Sequence, residues 1–238
     1  MTGSIRAITF DAAGTLFRLA RPVGETYAAV AREWSVDLPP EALDQAFRES
    51  WRRAPRLHGD SLGASDPHER ERQWWRGVVE ATFRSAARLS DRDSPDDDRL
   101  AAIFDALFDA FADPAEWHLY PETLPVLDRL AETHRLAVIS NFDRRFHAIA
   151  RGLGLADHFE AVILSGEAGA AKPDRLIFDT ACRALDLPPK AIAHVGDDPT
   201  ADWQGAREAG FLALELRRPA DTLESILLNG QKIPGEYQ

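Results

Sequence analysis

The sequence predicts an α/β protein built on a parallel sheet, with a helical segment inserted after the first strand. Two observations predict it. Short apolar runs alternate with amphipathic helical stretches in residues 1–17 and 117–238, whereas residues 18–116 place their apolar side chains at helical spacing. Apolar strands separated by helices are typical of a parallel sheet covered on both faces. We therefore predict a core formed by residues 1–17 plus 117–238 and a helical domain formed by residues 18–116.

Five apolar runs are the predicted strands of the core. In chain order they read IRAITF, LAVISN, AVILSG, AIAHVGD and FLALEL. The helical patterns between them read PETLPVLDRLAETH, RRFHAIARGLG, DRLIFDTACRAL and ADWQGAREAG. Each connection is long enough for the crossover that joins neighbouring parallel strands.

The inserted segment predicts a helical bundle. Its apolar residues recur three and four positions apart, as in Leu43, Phe47 and Trp51. The acidic stretch Ser90–Asp98 contains a proline and is predicted to be a loop before a further helix. Because the insertion follows the first strand, we expect it near the carboxyl edge of the sheet, where open α/β folds bind ligands. The bundle is therefore predicted to be a cap over a binding site.

Composition limits the classes of function. The chain has 238 residues, 45% of them apolar, a formal net charge of -11, one Cys and one Met. The negative charge opposes nucleic-acid binding, and no apolar run is long enough to span a bilayer. Few cysteines and no leader pattern predict a cytoplasmic protein with neither nucleic acid nor membrane as a partner. The apolar helix faces are compatible with a monomer or a homodimer.

Polar side chains follow the predicted strands, and parallel strands bring such ends together at one edge of the sheet. The residues concerned are Asp11, Ser140, Asn141, Lys172, Asp197, Asp198 and Asp202. Two carboxylates about 4 Å apart repel by roughly 4 kcal/mol at an intermediate dielectric, so a cluster of four needs a cation. Oxygen ligands that leave room for a substrate phosphate suit Mg²⁺. The sequence therefore predicts a magnesium site at this edge.

These residues resemble the four motifs of the haloacid dehalogenase superfamily, and the resemblance covers the whole core. In chain order the motifs are Asp11 through Gly14-Thr15, Ser140, Lys172-Pro173, and Gly196-Asp197-Asp198 with Asp202. The resemblance implies a Rossmann-like core with an inserted α-helical cap of type C1. The run Arg21–Tyr27 and the long insertion are also similar to the subgroup called haloacid dehalogenase-like hydrolase domain-containing 3.

The resemblance also implies a role for each motif residue. Asp11 is implied to be a nucleophile that forms an aspartyl-phosphate, with Ser140 and Lys172 as its catalytic partners. The implied substrate-binding residues are Gly14, Thr15, Arg18 and Asn141, because small residues let backbone N–H groups face phosphate oxygens. The implied Mg²⁺ ligands are Asp11, the backbone carbonyl of Ala13, Asp197, Asp198 and Asp202. The implied substrate is a small phosphorylated molecule.

One position departs from the family pattern. Family phosphatases carry a second Asp two residues after the nucleophile, and this acid protonates the leaving group, whereas this chain has Ala13. A general acid contributes about 10²–10⁴ in rate. A phosphatase is compatible with Ala13 if the leaving group is good or if another residue donates the proton. The candidate donors are His58, Asp60 and His118.

Two other interpretations also remain open. The family's 2-haloacid dehalogenases lack the second acid, because halide leaves without a proton. Their fourth motif, however, resembles Ser-Ser-Asn, so the Asp197-Asp198 pair favours the metal-dependent branch. A non-catalytic protein that binds a phosphorylated ligand or acts as a scaffold is the third interpretation.

Overall fold

The computed structural model describes residues 4–55 and 66–228. The chain divides into two compact units. The first comprises Met1–Arg18 and His118–Gln238, and the second comprises Leu19–Trp117. Among the described residues, no helix has both the length and the apolar character needed to cross a membrane.

The first unit is built on a five-stranded sheet. The strands of the described chain are β1 (Ala7–Phe10), β2 (Phe17–Leu19), β3 (Trp117–Leu119), β4 (Arg135–Ser140), β5 (Ala161–Leu164), β6 (Ile192–Gly196) and β7 (Leu212–Glu215). The sheet order is β5-β4-β1-β6-β7, and all four pairings are parallel. The predicted parallel α/β core is therefore confirmed. The short strands β2 and β3 pair with each other in a separate sheet, which the sequence did not predict.

The helices of the described chain are α1 (Val23–Arg32), α2 (Pro40–Arg53), α3 (Pro67–Leu89), α4 (Asp97–Ala110), α5 (Thr123–Ala131), α6 (Arg145–Gly152), α7 (Ser165–Ala168), α8 (Arg175–Leu185), α9 (Gly205–Ala209) and α10 (Leu223–Leu227).

Helices of the first unit cover both faces of the sheet. Buried residues of α8 and α9 form one apolar cluster with Ala7, Ile139 and Ile192 of the sheet. Phe10 and Val138 alternate to the opposite face and are also fully buried. Both faces are therefore removed from water.

The second unit contains the helices α1 to α4, whose apolar faces share one core. Tyr27, Leu43, Phe83 and Phe104 each bury their side chains in it, one from each helix. The Tyr27 and Phe83 rings stack with their centroids 5.7 Å apart. The predicted acidic loop ends at Asp96, whose carboxylate caps α4 by accepting a hydrogen bond from the Arg99 backbone N–H. The role of this unit as a cap stays a prediction.

The strand register fixes which chain positions meet at the carboxyl edge of the sheet. Phe10 of β1 lies level with Val138 of β4 on one side and with Val195 of β6 on the other. The residues that follow these three positions must therefore leave the sheet at nearly the same height. This alignment places the ends of β1, β4 and β6 around one site.

Candidate active site

Five of the predicted site residues lie at this edge. They are Asp11 after β1, Ser140 at the end of β4, Lys172 between α7 and α8, Asp197 after β6, and Asp202 in the π-helical turn Pro199–Gln204. One carboxylate oxygen from each of Asp11, Asp197 and Asp202 lies within 4.8 Å of the other two. Residues separated by almost two hundred positions in the sequence thus form one acidic cluster.

Lys172 joins two acids of the cluster. Its Nζ atom is 2.6 Å from Asp11 Oδ1 and 2.6 Å from Asp202 Oδ1, and the side chain is only 2% exposed. Burial alone would lower the pKa of Lys172, but the two carboxylates raise it above its ordinary value. The lysine is therefore a fixed positive charge between two acids.

Asp11 is held by two donors on a single oxygen. Ser140 Oγ donates to Asp11 Oδ1 at 2.9 Å, and Lys172 donates to the same atom. Burial raises the pKa of the Asp11 carboxyl, and Lys172 opposes this shift. In the described part of the chain, both side-chain hydrogen bonds to Asp11 end on Oδ1, which leaves Oδ2 as the less constrained oxygen.

Asp197 is the half-buried acid of the cluster, and it packs against the turn that follows Asp11. Thr15 Oγ1 donates to Asp197 Oδ1 at 3.3 Å. Gly14 has φ of +94°, and a Cβ atom at this position would come within 2.5 Å of Asp197 Oδ2. Burial, together with the charges of Asp11 and Asp202, raises the pKa of Asp197 to about 6. A bound cation would relieve this repulsion.

Both carboxylate oxygens of Asp202 already accept hydrogen bonds from protein groups. Its Oδ1 accepts from Lys172 and from His194 Nε2, and its Oδ2 accepts from the backbone N–H of Asp198 at 3.0 Å. Burial would raise the pKa of Asp202, but Lys172 and His194 hold it well below its usual range. A side chain at Gly196 would place its Cβ atom 2.2 Å from the Asp202 carboxylate. Because its oxygens already accept hydrogen bonds from protein groups, Asp202 is better placed to hold Lys172 than to bind a metal ion.

Asp198, the other acid of the fourth motif, has a different partner set. Its exposed side chain caps the π-helical turn, where Oδ1 accepts hydrogen bonds from the N–H groups of Thr200 and Ala201, both at 2.7 Å. It is not among the three acids that cluster at the sheet edge. The structure therefore separates Asp198 from the two neighbouring acids with which the sequence groups it.

The remaining predicted residues are placed less directly at the cluster. Asn141 clamps the Lys172 backbone: its Oδ1 accepts from the Lys172 N–H at 2.7 Å and its Nδ2 donates to the Lys172 carbonyl at 3.0 Å. Arg18 lies in β2 and His118 lies in β3, both exposed. Ala13 is also exposed, in the turn beside Gly14. His58 and Asp60 lie outside the described residues.

Two further residues extend the cluster into the sheet, and sequence reasoning did not single them out. His194 of β6 donates to Asp202, with 3.1 Å between its Nε2 and Asp202 Oδ1. Its other ring nitrogen, Nδ1, is 2.9 Å from Thr9 Oγ1 of β1. The signal available in the sequence was a histidine in the middle of the apolar run AIAHVGD.

Arg218, which follows β7, was also missed. Its Nη2 atom donates to the Thr15 carbonyl at 3.0 Å, and its Nη1 atom donates to Glu122 Oε1 at 2.6 Å. The guanidinium carbon lies 3.5 Å from the centroid of the Tyr120 ring. Arg218 therefore fixes the turn that carries Gly14 and Thr15 through a contact separate from the Asp197 hydrogen bond.

The fold and the site together define a class: an α/β protein with a carboxylate, a hydroxyl and a buried lysine at the carboxyl edge of a parallel sheet. The sequence model of the haloacid dehalogenase-like hydrolase family matches residues 5–210. The human haloacid dehalogenase-like hydrolase domain-containing protein 3 is 40% identical over 212 residues, which cover 87% of this chain and 80% of that protein. The chain belongs to the haloacid dehalogenase-like hydrolase family, as the motif resemblance implied.

Other relatives and solved structures agree with this family. The Drosophila melanogaster rhythmically expressed gene 2 protein is 27% identical over 87% of this chain and 80% of its own length. The 2-haloacid dehalogenase of Pseudomonas syringae has a TM-score of 0.60 at 28% identity, covering 89% of this chain and 86% of that one. A HAD phosphatase from Thermococcus onnurineus shares the fold, with a TM-score of 0.60 at 21% identity over 91% of this chain and 88% of its own.

Proposed function

We propose that this hydrolase is a Mg²⁺-dependent phosphatase that acts on a small phosphorylated substrate through Asp11. The observation that carries the proposal is the charge imbalance at the sheet edge, where three carboxylates cluster and one buried ammonium group contacts two of them. Buried carboxylates without compensation raise their pKa values, as Asp197 does, and a divalent cation removes that cost. A halide-releasing site has no need for this excess of acids.

The donor set fits Mg²⁺, since it consists only of oxygens. Asp11, Asp197 and the backbone carbonyl of Ala13 are the ligands we propose. Asp202 adds negative charge nearby, but its two oxygens already accept three hydrogen bonds from the protein. When bound, Mg²⁺ supplies positive charge that draws the substrate phosphate toward Asp11 and offsets its negative charge.

Asp11 performs the first chemical step in this proposal. Its Oδ2 atom forms a bond to phosphorus while the ester P–O bond breaks, and the leaving oxygen keeps the electron pair of that bond and is protonated by solvent after it has left. Ser140 and Lys172 hold Oδ1, so the carboxylate cannot rotate away from the line of attack. Water then forms a bond to phosphorus while the Asp11 Oδ2–P bond breaks, a proton of the water passes to solvent, and inorganic phosphate and the Asp11 carboxylate are released.

Backbone donors of the turn after β1 receive the phosphate oxygens. The N–H of Gly14 donates to the Phe17 carbonyl at 2.8 Å and the N–H of Thr15 to the Ala12 carbonyl at 3.2 Å, so both are used within the turn. We therefore assign phosphate binding to the N–H groups of Ala12 and Ala13. Lys172 contributes positive charge beside Asp11.

The missing acid sets the substrate preference. With Ala13 in place of the family's second Asp, no side chain at that position can protonate the leaving group. Phosphate esters of good leaving groups, such as activated aryl phosphates, need this proton least. We therefore propose that aryl or similarly activated phosphates are hydrolysed much faster than alkyl phosphates.

A 2-haloacid dehalogenase is the second candidate, because Ala13 is compatible with a leaving group that needs no proton and because a 28% identical structure carries that name. The discriminating experiment assays purified protein with an activated aryl phosphate, an alkyl phosphate and 2-chloropropionate, each with and without Mg²⁺. Metal-dependent release of phosphate from the aryl ester is the expected result. Metal-independent halide release would establish the dehalogenase, and no turnover of any substrate would favour a ligand-binding protein.

Magnesium binding has its own expected signature in thermal unfolding. At ten times its dissociation constant, Mg²⁺ adds about 1.4 kcal/mol of stability, which corresponds to about 3–5 °C in Tm for a chain of this size. Because a metal binds the carboxylate and not the acid, this shift should be present at pH 7 and be lost as the pH falls through the Asp197 pKa of about 6. Differential scanning calorimetry with and without Mg²⁺ measures it.

Two neighbouring substitutions make this measurement specific. Asp197→Asn should abolish the Mg²⁺-induced shift and, because it removes an unfavourable buried charge, should raise the Tm of the metal-free protein. Asp198→Asn preserves a capping side chain and should retain the Mg²⁺-induced shift. The opposite pattern, with the shift lost only in Asp198→Asn, would move the metal ligand to Asp198.

A further inference from the structure

A line of buried hydrogen bonds runs from the middle of the sheet to Asp11. It starts at Thr9 Oγ1 of β1, 2.9 Å from Nδ1 of His194 on β6. From His194 Nε2 it continues to Asp202 Oδ1 at 3.1 Å, and Lys172 Nζ then joins Asp202 to Asp11 at 2.6 Å on each side. Every member is at least nine-tenths buried as a residue.

The first two members are unusual for their positions. Thr9 and His194 are directly adjacent in the register of β1 and β6, at the centre of a sheet covered on both faces. Their side chains are fully buried, and the His194 ring packs edge-on against Phe178 with 5.6 Å between the centroids. An apolar pair would fill this space without the cost of removing polar groups from water. Stability alone therefore does not explain the pair.

The hydrogen-bond partners of His194 determine which of its ring nitrogens carries the proton. The Asp202 oxygen can only accept, so the Nε2 atom must carry the proton that lies between them. In the neutral ring Nδ1 is then an acceptor. The Thr9 hydroxyl lies 2.9 Å from Nδ1 and 3.1 Å from the Ala193 carbonyl oxygen, so its single proton has two acceptors. Asp202 thus selects the Nε2–H tautomer, as the partner of a ring nitrogen does in other sites where a histidine must face one way.

This arrangement leaves Asp202 no freedom to rotate. His194 and Lys172 both donate to Oδ1, and the Asp198 backbone N–H donates to Oδ2. Without the histidine donor, the lysine would be the only side chain holding Oδ1. Because Lys172 Nζ also contacts Asp11, a shift of Asp202 moves the charge that faces the nucleophile.

We propose that His194 is a positioning residue that fixes Asp202 and thereby aims Lys172 at Asp11. This inference rests on the proposed function, because it assigns His194 a part in turnover at Asp11. His194 touches neither substrate nor the reacting atoms. Its effect reaches the chemistry through Asp202 and Lys172 alone.

The first test compares two substitutions of His194. His194→Phe keeps the ring shape without a donor, whereas His194→Gln places an amide N–H at a similar distance from the backbone as Nε2. On an aryl phosphate with Mg²⁺, His194→Phe should lower kcat by about 10–100-fold, the usual range for such outer partners. KM should change by less than about twofold, because the histidine does not meet the substrate. His194→Gln should recover most of the lost rate.

A double-mutant cycle separates positioning from a general loss of structure. If His194 acts only through Asp202, then His194→Phe should have little further effect on kcat in an Asp202→Asn background. Equal fold losses in both backgrounds, or equal losses for the Phe and Gln variants at unchanged Tm, would overturn the proposal. If His194→Phe does not fold, Thr9→Val removes the hydroxyl that contacts Nδ1 at nearly constant volume and should also lower kcat, because the ring loses a contact that orients it.

A second measurement does not depend on turnover. In protein labelled with ¹⁵N-histidine, long-range ¹H–¹⁵N spectra report which ring nitrogen carries the proton, and His194 should show it on Nε2. A neutral ring with the proton on Nδ1 would overturn the proposal whatever the enzyme hydrolyses. An Nε2 proton in a protein that hydrolyses no phosphate would mean that the proposed function has failed while the hydrogen-bonded line stands.

Discussion

Replacing Asp11 with asparagine should lower the turnover of an aryl phosphate by about 10⁴-fold or more, because an amide oxygen cannot form the covalent intermediate. The substitution keeps the shape of the side chain and an oxygen that can accept from Ser140 and Lys172. It also removes one of three clustered carboxylates. The protein should therefore stay folded, and the loss should be in kcat. Steady-state kinetics with Mg²⁺ and a melting curve measure both.

The control for this substitution is Asp157→Asn, an exposed acid in the same unit and outside the cluster. It should leave kcat unchanged. Rapid quenching with ³²P-labelled substrate adds a direct readout, since the wild-type protein should carry covalent phosphate and the Asp11→Asn protein none. Residual turnover within tenfold of the wild type would show that Asp11 is not the nucleophile.

Introducing the absent acid, as Ala13→Asp, should raise the hydrolysis of an alkyl phosphate by about 10²-fold or more and that of an aryl phosphate far less. An alkoxide needs the proton that a carboxylic acid supplies, whereas a phenolate leaves without it. The position is exposed, so a larger side chain can be accommodated there at little steric cost. Values of kcat/KM for the two esters in both proteins give the comparison.

Ala13→Asn is the matched variant, because it has the size of aspartate but no proton to give. It should leave the ratio of alkyl to aryl rates as it is in the wild type. An equal increase for both esters in Ala13→Asp would point to a change in metal or phosphate binding instead. The preference for activated esters would then have a cause other than the missing proton donor.

The parallel sheet and the meeting of strand ends were predictable because they depend on patterns within short segments. An apolar run followed by Asp11, by Ser140 or by Asp197 is visible in the sequence, and sheet geometry then brings the ends together. The pairing of Thr9 with His194 was not predictable, because it depends on the register between two strands that are far apart in the chain. A slip of one residue would have turned these side chains to opposite faces.

The three acids that follow β6 show a second limit. Asp197, Asp198 and Asp202 are chemically identical in the sequence, and only local backbone geometry distinguishes them. Asp198 caps a helical turn, Asp202 is held by three donors, and Asp197 remains beside Asp11. The two hydrogen bonds between the Asn141 side chain and the Lys172 backbone could not be predicted either, because they too depend on local backbone geometry.

Arg218 lies beyond the residues that the family model matches. The family match stops at residue 210, yet the guanidinium that holds the Thr15 carbonyl comes after β7, eight positions later. A truncation drawn at the end of the family match would remove the edge strand β7 and the arginine that holds the Thr15 carbonyl near Asp11. A fragment that keeps this contact therefore has to run past Arg218, and C-terminal shortening up to that point is expected to disturb the candidate site.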